Sequence, residues 1–221
     1  MHGTLYIVAT PIGNLEDITF RAIKILKEVD IILAEDTRVT STITKRFDIQ
    51  RDVLSYHQHS SEKKMEEVLL YLLTGKNIAL VTDAGTPGIS DPGNELIDFI
   101  LTREPNIKIV PIPGASAITS ALSVCGFNVN KFVFLGFMPK KKRTKLFDWI
   151  KDGKVSFAFY DSPNRIIKTL TDLKEVFGDR RVYVGRELTK LYEDYYRGSF
   201  DEVITMISKS KQKGEVVVVV E

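Results

Sequence analysis

The sequence predicts an α/β protein of two domains, divided near Asn128. Three observations predict it. Short apolar runs of strand length, such as Ile31-Ile32-Leu33-Ala34 and Ile78-Ala79-Leu80-Val81, alternate with segments whose apolar residues recur at helical spacing. The run at 78–81 empties into a loop, Asp83 to Gly93, with glycines at 85, 88 and 93 and prolines at 87 and 92. After Cys125-Gly126-Phe127-Asn128 the alternation changes, which sets the boundary.

Each element has a local reason. Leu5 to Ala9 is a short buried strand, followed by the loop Thr10-Pro11-Ile12-Gly13-Asn14-Leu15. Asp17 is placed to cap a helix that carries Ile18, Ala22, Ile25, Leu26 and Val29 on one face. The strand Ile31–Ala34 ends in Glu35-Asp36-Thr37-Arg38, which reads either as an N-cap with a surface ion pair or as a functional charge cluster. Val53 to Tyr56 is a weaker strand. If it continues, His57 and His59 point the same way. No third ligand follows nearby, and Cys125 is the only cysteine, so no metal site is expected.

A helix with Met65, Val68, Leu69, Leu72 and Leu73 on one face stops at Gly75. The Asp83–Gly93 loop then follows its strand. Glycine permits positive φ and close approach of a ligand to the main chain, and proline stiffens the loop. Asp91 and Pro92 suit an N-cap and first helical residue. In open α/β sheets ligands bind beyond the carboxyl ends of strands, where this loop sits; it also reads as a long structural turn. Ile107 to Val110 is a strand ending at Pro113-Gly114-Ala115-Ser116-Ala117, small residues that admit either a ligand or close helix packing.

Beyond the boundary, Phe132 to Phe137 is a strand that enters Met138-Pro139-Lys140-Lys141-Lys142-Arg143-Thr144-Lys145. A helix with Leu146, Phe147, Trp149 and Ile150 comes next. Strands at Val155–Tyr160, Val182–Gly185, Leu191–Tyr196 and Val216–Val220 and helices after Asp161-Ser162-Pro163-Asn164-Arg165 and about Val203–Ile207 complete the chain.

Composition bounds the function. Across 221 residues, 43% are hydrophobic and 27% charged, and the net charge is +2, so local clusters must carry any argument about partners. A lone cysteine excludes an internal disulfide and fits a reducing compartment. No run reaches the length of a membrane span, and Met1-His2-Gly3 leads straight into a strand, so no signal peptide is read and a cytoplasmic address is expected. A Walker A loop and a Gly-x-Gly-x-x-Gly turn are absent, which argues against a nucleotide hydrolase or dinucleotide dehydrogenase.

Seven segments in order carry a resemblance. They are Ala9 to Leu15, Ala34-Glu35-Asp36-Thr37-Arg38, Tyr56-His57-Gln58-His59, Asp83 to Gly93, Pro113-Gly114-Ala115-Ser116-Ala117, Ser162-Pro163 and Arg186-Glu187-Leu188-Thr189-Lys190. Together, from Thr4 onward, they resemble the ribosomal RNA small subunit methyltransferase I family of the tetrapyrrole-methylase (class III methyltransferase) superfamily. The resemblance implies two α/β domains with S-adenosylmethionine between them, a homodimer, and methylation of a cytidine ribose 2′-hydroxyl in 16S ribosomal RNA of the small subunit. By the same resemblance, Pro11, Gly85, Thr86, Pro87, Gly88, Ile89, Ser116, Ala117, Tyr160, Glu187 and Leu188 contact the cofactor. Asp36, His57, Asp83 and Glu187 are candidates for the base, and Arg38 and Lys190 for orienting a phosphate or carboxylate. The basic run Lys140, Lys141, Lys142, Arg143 and Lys145 is expected on RNA phosphates.

The family's Ser-Pro-His-Arg is Ser-Pro-Asn-Arg here, so Asn164 takes no catalytic duty. The chain stops at Glu221, short of a helical tail common in the family, and no RNA contact is assigned to such a tail. Two other functions compete: a methylase of a tetrapyrrole-like small molecule, and a module that only binds an adenosyl ligand or RNA.

Overall fold

A computed structural model describes residues 1–210 and 213–221. Its contacts divide the chain into Met1–Ser116 and Ala117–Glu221.

In the first unit, β1 (Thr4–Val8), β2 (Ile31–Ala34), β3 (Asp52–Ser55), β4 (Ile78–Val81) and β5 (Lys108–Ile112) form a parallel sheet in the order β3-β2-β4-β1-β5. Every residue of β2 and β4 is buried. A parallel sheet needs this, because its crossover helices cover both faces. Side chains alternate across the sheet. Leu5, Ile7, Leu33 and Leu80 pack with Val68 and Leu72 of α3 (Glu62–Leu73) and with Leu96 and Ile100 of α4 (Asn94–Arg103). Val8, Ile32, Ala79 and Val81 pack with Ala22 and Leu26 of α1 (Phe20–Glu28) and Ile43 of α2 (Thr37–Arg46).

The strand order positions the site. Because β4 is inserted between β1 and β2, the loops after these three strands emerge side by side at the carboxyl edge of the sheet.

Three helix or strand ends near the carboxyl edge of this sheet differ from expectation in ways that bear on its loops. Thr19, not Asp17, caps α1: its hydroxyl accepts from the Ala22 N–H at 3.0 Å, while Asp17 ends a single 3₁₀ turn, Leu15–Asp17. Helix α4 starts at Asn94, not Pro92. The Pro92 carbonyl accepts from the Gly88 N–H at 3.2 Å and the Asn94 amide donates to the Gly88 carbonyl at 2.9 Å, so residues 88–94 close on themselves first. Strand β3 stops at Ser55, so His57 and His59 do not alternate along it; the His59 N–H donates to His57 Nδ1 at 3.2 Å in a turn.

In the second unit, β6 (Phe132–Phe137), β7 (Ser156–Asp161), β8 (Arg181–Arg186), β9 (Asp194–Ser199) and β10 (Val216–Val220) form a mixed sheet ordered β6-β7-β10-β8-β9. Only the β6–β7 pair is parallel. Val216, Val218 and Val220 join Phe157, Phe159, Val182 and Val184 in a core closed by α6 (Thr144–Gly153), α7 (Ile166–Phe177) and α8 (Phe200–Ser208). Ser199 and Glu202 form a capping box that starts α8. Helix α5 (Ala117–Val124) packs on β10, and Arg197 of β9 donates to the carbonyls of Val124 and Cys125 at its end. The division therefore falls after Ser116, upstream of the boundary expected near Asn128. Strand β9 starts at Asp194 rather than Leu191, because Lys190 and Glu193 N–H groups close successive turns on the carbonyls of Glu187 and Lys190.

Candidate functional site

The loops of the first unit are sewn together by backbone. Thr10 and Gly85 exchange two hydrogen bonds, Thr10 N–H to Gly85 O at 2.9 Å and Gly85 N–H to Thr10 O at 3.0 Å. The Thr10 hydroxyl donates to the Thr82 carbonyl at 3.1 Å, and the Thr86 hydroxyl to the Ala115 carbonyl at 3.3 Å. The loops after β1, β4 and β5 thus form one tied edge. Gly114 makes the third approach possible: a Cβ there would lie 2.9 Å from the Ala9 Cβ.

Gly85 and Gly88 take φ of +81° and +82°, which side-chain-bearing residues rarely adopt. A Cβ on Gly88 would meet the Asn94 amide oxygen at 2.6 Å. Gly88 is therefore needed for its own loop, whatever binds beside it. Pro11 and Pro87 are buried within the edge, and Ile89 is 43% exposed on it. Ser116 ends the unit.

A charge cluster stands at the same carboxyl edge. Asp36 caps α2 by accepting from the Arg38 N–H at 2.8 Å, and the Arg38 guanidinium folds back on the same carboxylate. The Arg38 hydrogen bonds hold the Asp36 carboxyl down at about 2. The Asp36 N–H donates to Asp83 Oδ1 at 3.0 Å, and the Asp83 N–H faces Glu35 Oε2 at 3.5 Å. Desolvation pushes the Asp83 carboxyl up and outweighs the Asp36 N–H bond that favours its charge. Burial also raises Glu35, against the Asp83 N–H that it accepts from and the pull of His57. The structure therefore brings Asp36, Arg38 and Asp83 together, with His57 within electrostatic reach. His57 engages its own turn, its N–H on the Ser60 hydroxyl and its Nδ1 on His59. Glu35 has no marker in the sequence beyond its place in the charge cluster; only the fold sets it against Asp83.

The second unit holds its candidates differently. Tyr160 lies near the end of β7, where its carbonyl accepts from the Met138 N–H at 2.8 Å and its ring meets Phe134 and Phe137 edge-on at 5.0 and 5.4 Å. Glu187 and Thr189 both take positive φ, +52° and +68°, a strained turn for non-glycine residues. Side-chain charge stabilises it. Glu187 Oε1 accepts from Lys190 Nζ at 2.9 Å and from the Glu215 N–H at 2.8 Å, and Lys190 Nζ also reaches Glu215 Oε2 at 2.8 Å. Burial works against the Glu187 charge, but the Glu215 N–H and Lys190 outweigh it and lower the carboxyl. Lys190 is raised in turn: burial opposes its charge, and Glu215 and Glu187 outweigh that. Lys190 is thus committed to Glu187 and Glu215, and Leu188 is buried between them in sequence. Glu215 was invisible as a partner because it lies on the far side of α8.

Asp161 of the Asp-Ser-Pro-Asn-Arg segment is buried, paired with Arg165 and accepting from the Thr169 hydroxyl at 2.6 Å. Asn164 is exposed. In the basic run, Lys140, Lys141, Lys142 and Lys145 are exposed, whereas Arg143 turns inward to Asp172 at 2.9 Å and to the Pro139 carbonyl. Among the described residues no group of three or more metal-ligating side chains gathers.

Residues 4–204 match the family model of Tetrapyrrole (Corrin/Porphyrin) Methylases. The fold agrees: an X-ray structure of cobalt precorrin-4 methyltransferase, a cobalamin biosynthetic enzyme, superposes with a TM-score of 0.71 at 19% identity over 98% of this chain and 94% of its own. A uroporphyrin-III C-methyltransferase from Thermus thermophilus, complexed with S-adenosyl homocysteine, superposes with a TM-score of 0.66 at 15% identity over 98% and 97%. Fold and family match together define a methylase of this class. Nearer in sequence are proteins named ribosomal RNA small subunit methyltransferase I: one from Thermotoga maritima is 46% identical over 98% of this chain and 97% of its own, and one from Bacillus subtilis is 45% identical over 99% and 75%. The chain belongs to that family of the tetrapyrrole methylases.

Proposed function

We propose that this chain is an S-adenosylmethionine-dependent methyltransferase acting on the ribose 2′-hydroxyl of a cytidine in 16S ribosomal RNA. The observation that carries the reading is 46% identity across 97% of a relative named for small-subunit ribosomal RNA methylation. The site chemistry agrees with it. The cofactor needs backbone groups for its polar ends and apolar surface beside its sulfonium. The tied edge offers both, in the glycine turns at 85 and 88 and in the exposed Ile89. The adjoining Asp83 carboxylate suits a cationic sulfonium. Pro11, Gly85, Thr86, Pro87, Gly88, Ile89 and Ser116 would hold it in the first unit; Ala117, Tyr160, Glu187 and Leu188 are the contacts that family resemblance adds in the second.

Bound S-adenosylmethionine supplies a methyl group whose bond to sulfur breaks with the electron pair left on sulfur. The 2′-hydroxyl oxygen takes the methyl carbon and gives its proton to a base. Holding the hydroxyl in line accounts for much of the acceleration, and a dry pocket does not oppose a step that disperses charge. Among the candidate bases, Asp36 is neutralised by Arg38 and Glu187 by Lys190. Among the described residues Asp83 has no cation folded onto its carboxylate, whose basicity is raised, and we assign it the proton. Arg38 and Lys190 become positioning residues for Asp36 and Glu187. Lys140, Lys141, Lys142 and Lys145 engage RNA phosphates, and Arg143 serves Asp172 instead. A homodimer working in the cytoplasm completes the reading; light scattering that gives a monomer mass at every concentration would remove the dimer.

The test is incubation with labelled S-adenosylmethionine and small ribosomal subunits, followed by mapping of the label. Label on a cytidine ribose is the expected result; label on a tetrapyrrole but not on RNA would overturn it. Asp83→Asn should lower kcat by about 10²–10⁴ while cofactor binding persists. The wild-type rate should fall in acid at a pH above the ordinary aspartate value, since the Asp83 carboxyl is raised.

A further inference from the structure

We infer that Trp149 is a base-stacking residue at the outer end of a single-stranded RNA track that starts beside Tyr160. The inference rests on the RNA reading above and adds a surface and a recognition mode to it.

The track is continuous in the chain. Strand β6 pairs Phe137 with Tyr160, and the backbone of Met138 bonds to Tyr160, so the basic loop departs from that residue. Phe137 is 61% exposed, and its ring rests edge-on against the Tyr160 ring. Lys140, Lys141 and Lys142 follow, all exposed, and Lys145 opens the first turn of α6. Among the described residues no ion pair engages these four ammonium groups. Four residues beyond Lys145, on the same helix face, Trp149 is 58% exposed. Four residues of helix advance about 6 Å. Phe147 and Ile150 face the core instead, so the outward placement of Trp149 follows from the helix register.

One exposed aromatic is ordinary on a protein surface. Here two bracket the densest run of lysines in a chain whose net charge is only +2. Free cations beside exposed rings are what single-stranded nucleic acid needs: phosphates meet the charge, and bases of any sequence stack on the rings. Asp148 and Asp152 flank Trp149 on α6 and are exposed. They balance charge at that end, so Trp149 contributes to base contact and not to phosphate contact. That separation makes the inference testable by salt dependence.

Trp149 is the only tryptophan, so its emission reports this site alone. The experiment titrates the full chain with a cytidine-containing single-stranded oligoribonucleotide over a salt series, following tryptophan emission in wild type and affinity by a label on the RNA in all variants. Wild type should show quenching on RNA addition. Trp149→Ala should bind about 5- to 100-fold more weakly with the salt slope unchanged. Trp149→Phe should recover most of that loss. Replacing the four lysines by Ala should flatten the slope of log affinity against log salt by about 3. Unquenched emission with RNA bound, an unchanged affinity in Trp149→Ala, or no RNA binding by wild type would each overturn the inference. Emission that shifts with protein concentration and not with RNA would assign the face to a second copy of the chain and overturn it too. Methyl transfer to small subunits, run in parallel, separates the two claims. Transfer that persists in Trp149→Ala without loss of affinity sinks the stacking role alone. No transfer by a protein that binds S-adenosylmethionine sinks the RNA methylation reading.

Discussion

The two units hold their candidate residues by different means. In the first, the parallel sheet sends loops side by side from β1, β4 and β5, and uncharged hydrogen bonds tie them: backbone to backbone between Thr10 and Gly85, and from the Thr86 hydroxyl to the Ala115 carbonyl. Its charged groups sit at the rim, where the Arg38 side chain is 89% exposed and pairs with the half-buried Asp36. In the second, the mixed sheet brings turns that are strained at Glu187 and Thr189, and buried or half-buried charges hold them: Lys190 between Glu187 and Glu215, Asp161 between Arg165 and Thr169. Such ties are insensitive to pH, and to side-chain replacement except at the bonding threonines and where a glycine is required. Charge ties are sensitive to both. The candidate residues of the two units should therefore fail under different perturbations.

The strongest way to break the comparison is Asp161→Ala. It leaves Arg165 without its carboxylate in a buried setting and orphans the Thr169 hydroxyl, and should cost about 3–5 kcal/mol of stability. Denaturant unfolding of the full chain checks it. A loss as small as that of a surface pair would mean the second unit does not depend on charge.

Next is Gly114→Val. The new side chain would run into Ala9, and overpacking there should cost about 1–3 kcal/mol and weaken S-adenosylmethionine binding measured by calorimetry. A stable variant with unchanged cofactor affinity would show that the edge is not held by the close approach of β5 to β1.

Lys190→Met should cost less, about 1–2 kcal/mol, by leaving Glu187 and Glu215 to face each other. Its sharper signature is pH. Glu187 is lowered on folding, so its contribution is present above its ordinary 4.5 and is lost as pH falls through the folded value. Lys190 is raised, so its contribution is present below 10.5 and is lost as pH rises through the folded value. Unfolding curves across pH should show a plateau between those limits in wild type and a flatter profile in the variant.

The smallest effect belongs to Asp36→Asn. Its folded carboxyl, at about 2, lies below the ordinary 3.8, so what it contributes is present above that value and disappears only toward pH 2. The Arg38 partner is open to solvent, so salt should screen the pair, and Asn can keep the cap on the Arg38 N–H, leaving the unfolding midpoint at neutral pH in salt close to wild type.

What was legible in the sequence follows the same division. The strands at Ile31–Ala34, Ile78–Val81 and Val216–Val220 have the bounds read from their apolar runs, because burial on both faces leaves no ambiguity of register; Phe132–Phe137, half-buried, keeps its bounds as well. Helix starts were less legible. Asp91-Pro92 has the chemistry of a start, but the Gly88 ring of hydrogen bonds to Pro92 and Asn94 competes for the same backbone. The charge ties were not legible at all. Lys190 finds Glu215 across α8, and Arg143 finds Asp172 on α7, partners that only the folded chain brings near. The run of five cations thus contains four available ones, a distinction that adjacency in sequence does not make.

The place of β10 has a consequence for synthesis. This strand lies between β7 and β8, yet it is made after both, so neither can acquire that neighbour until residues 216–220 have emerged. For a period on the order of seconds at the rate of translation, β6 with β7 and β8 with β9 exist as separate ribbons with unpaired edges. Such edges are templates for mispairing. The five consecutive valines of β10 act as the latch that ends this exposure, and nascent chains arrested before Val216 should be captured by chaperones that leave the finished protein alone.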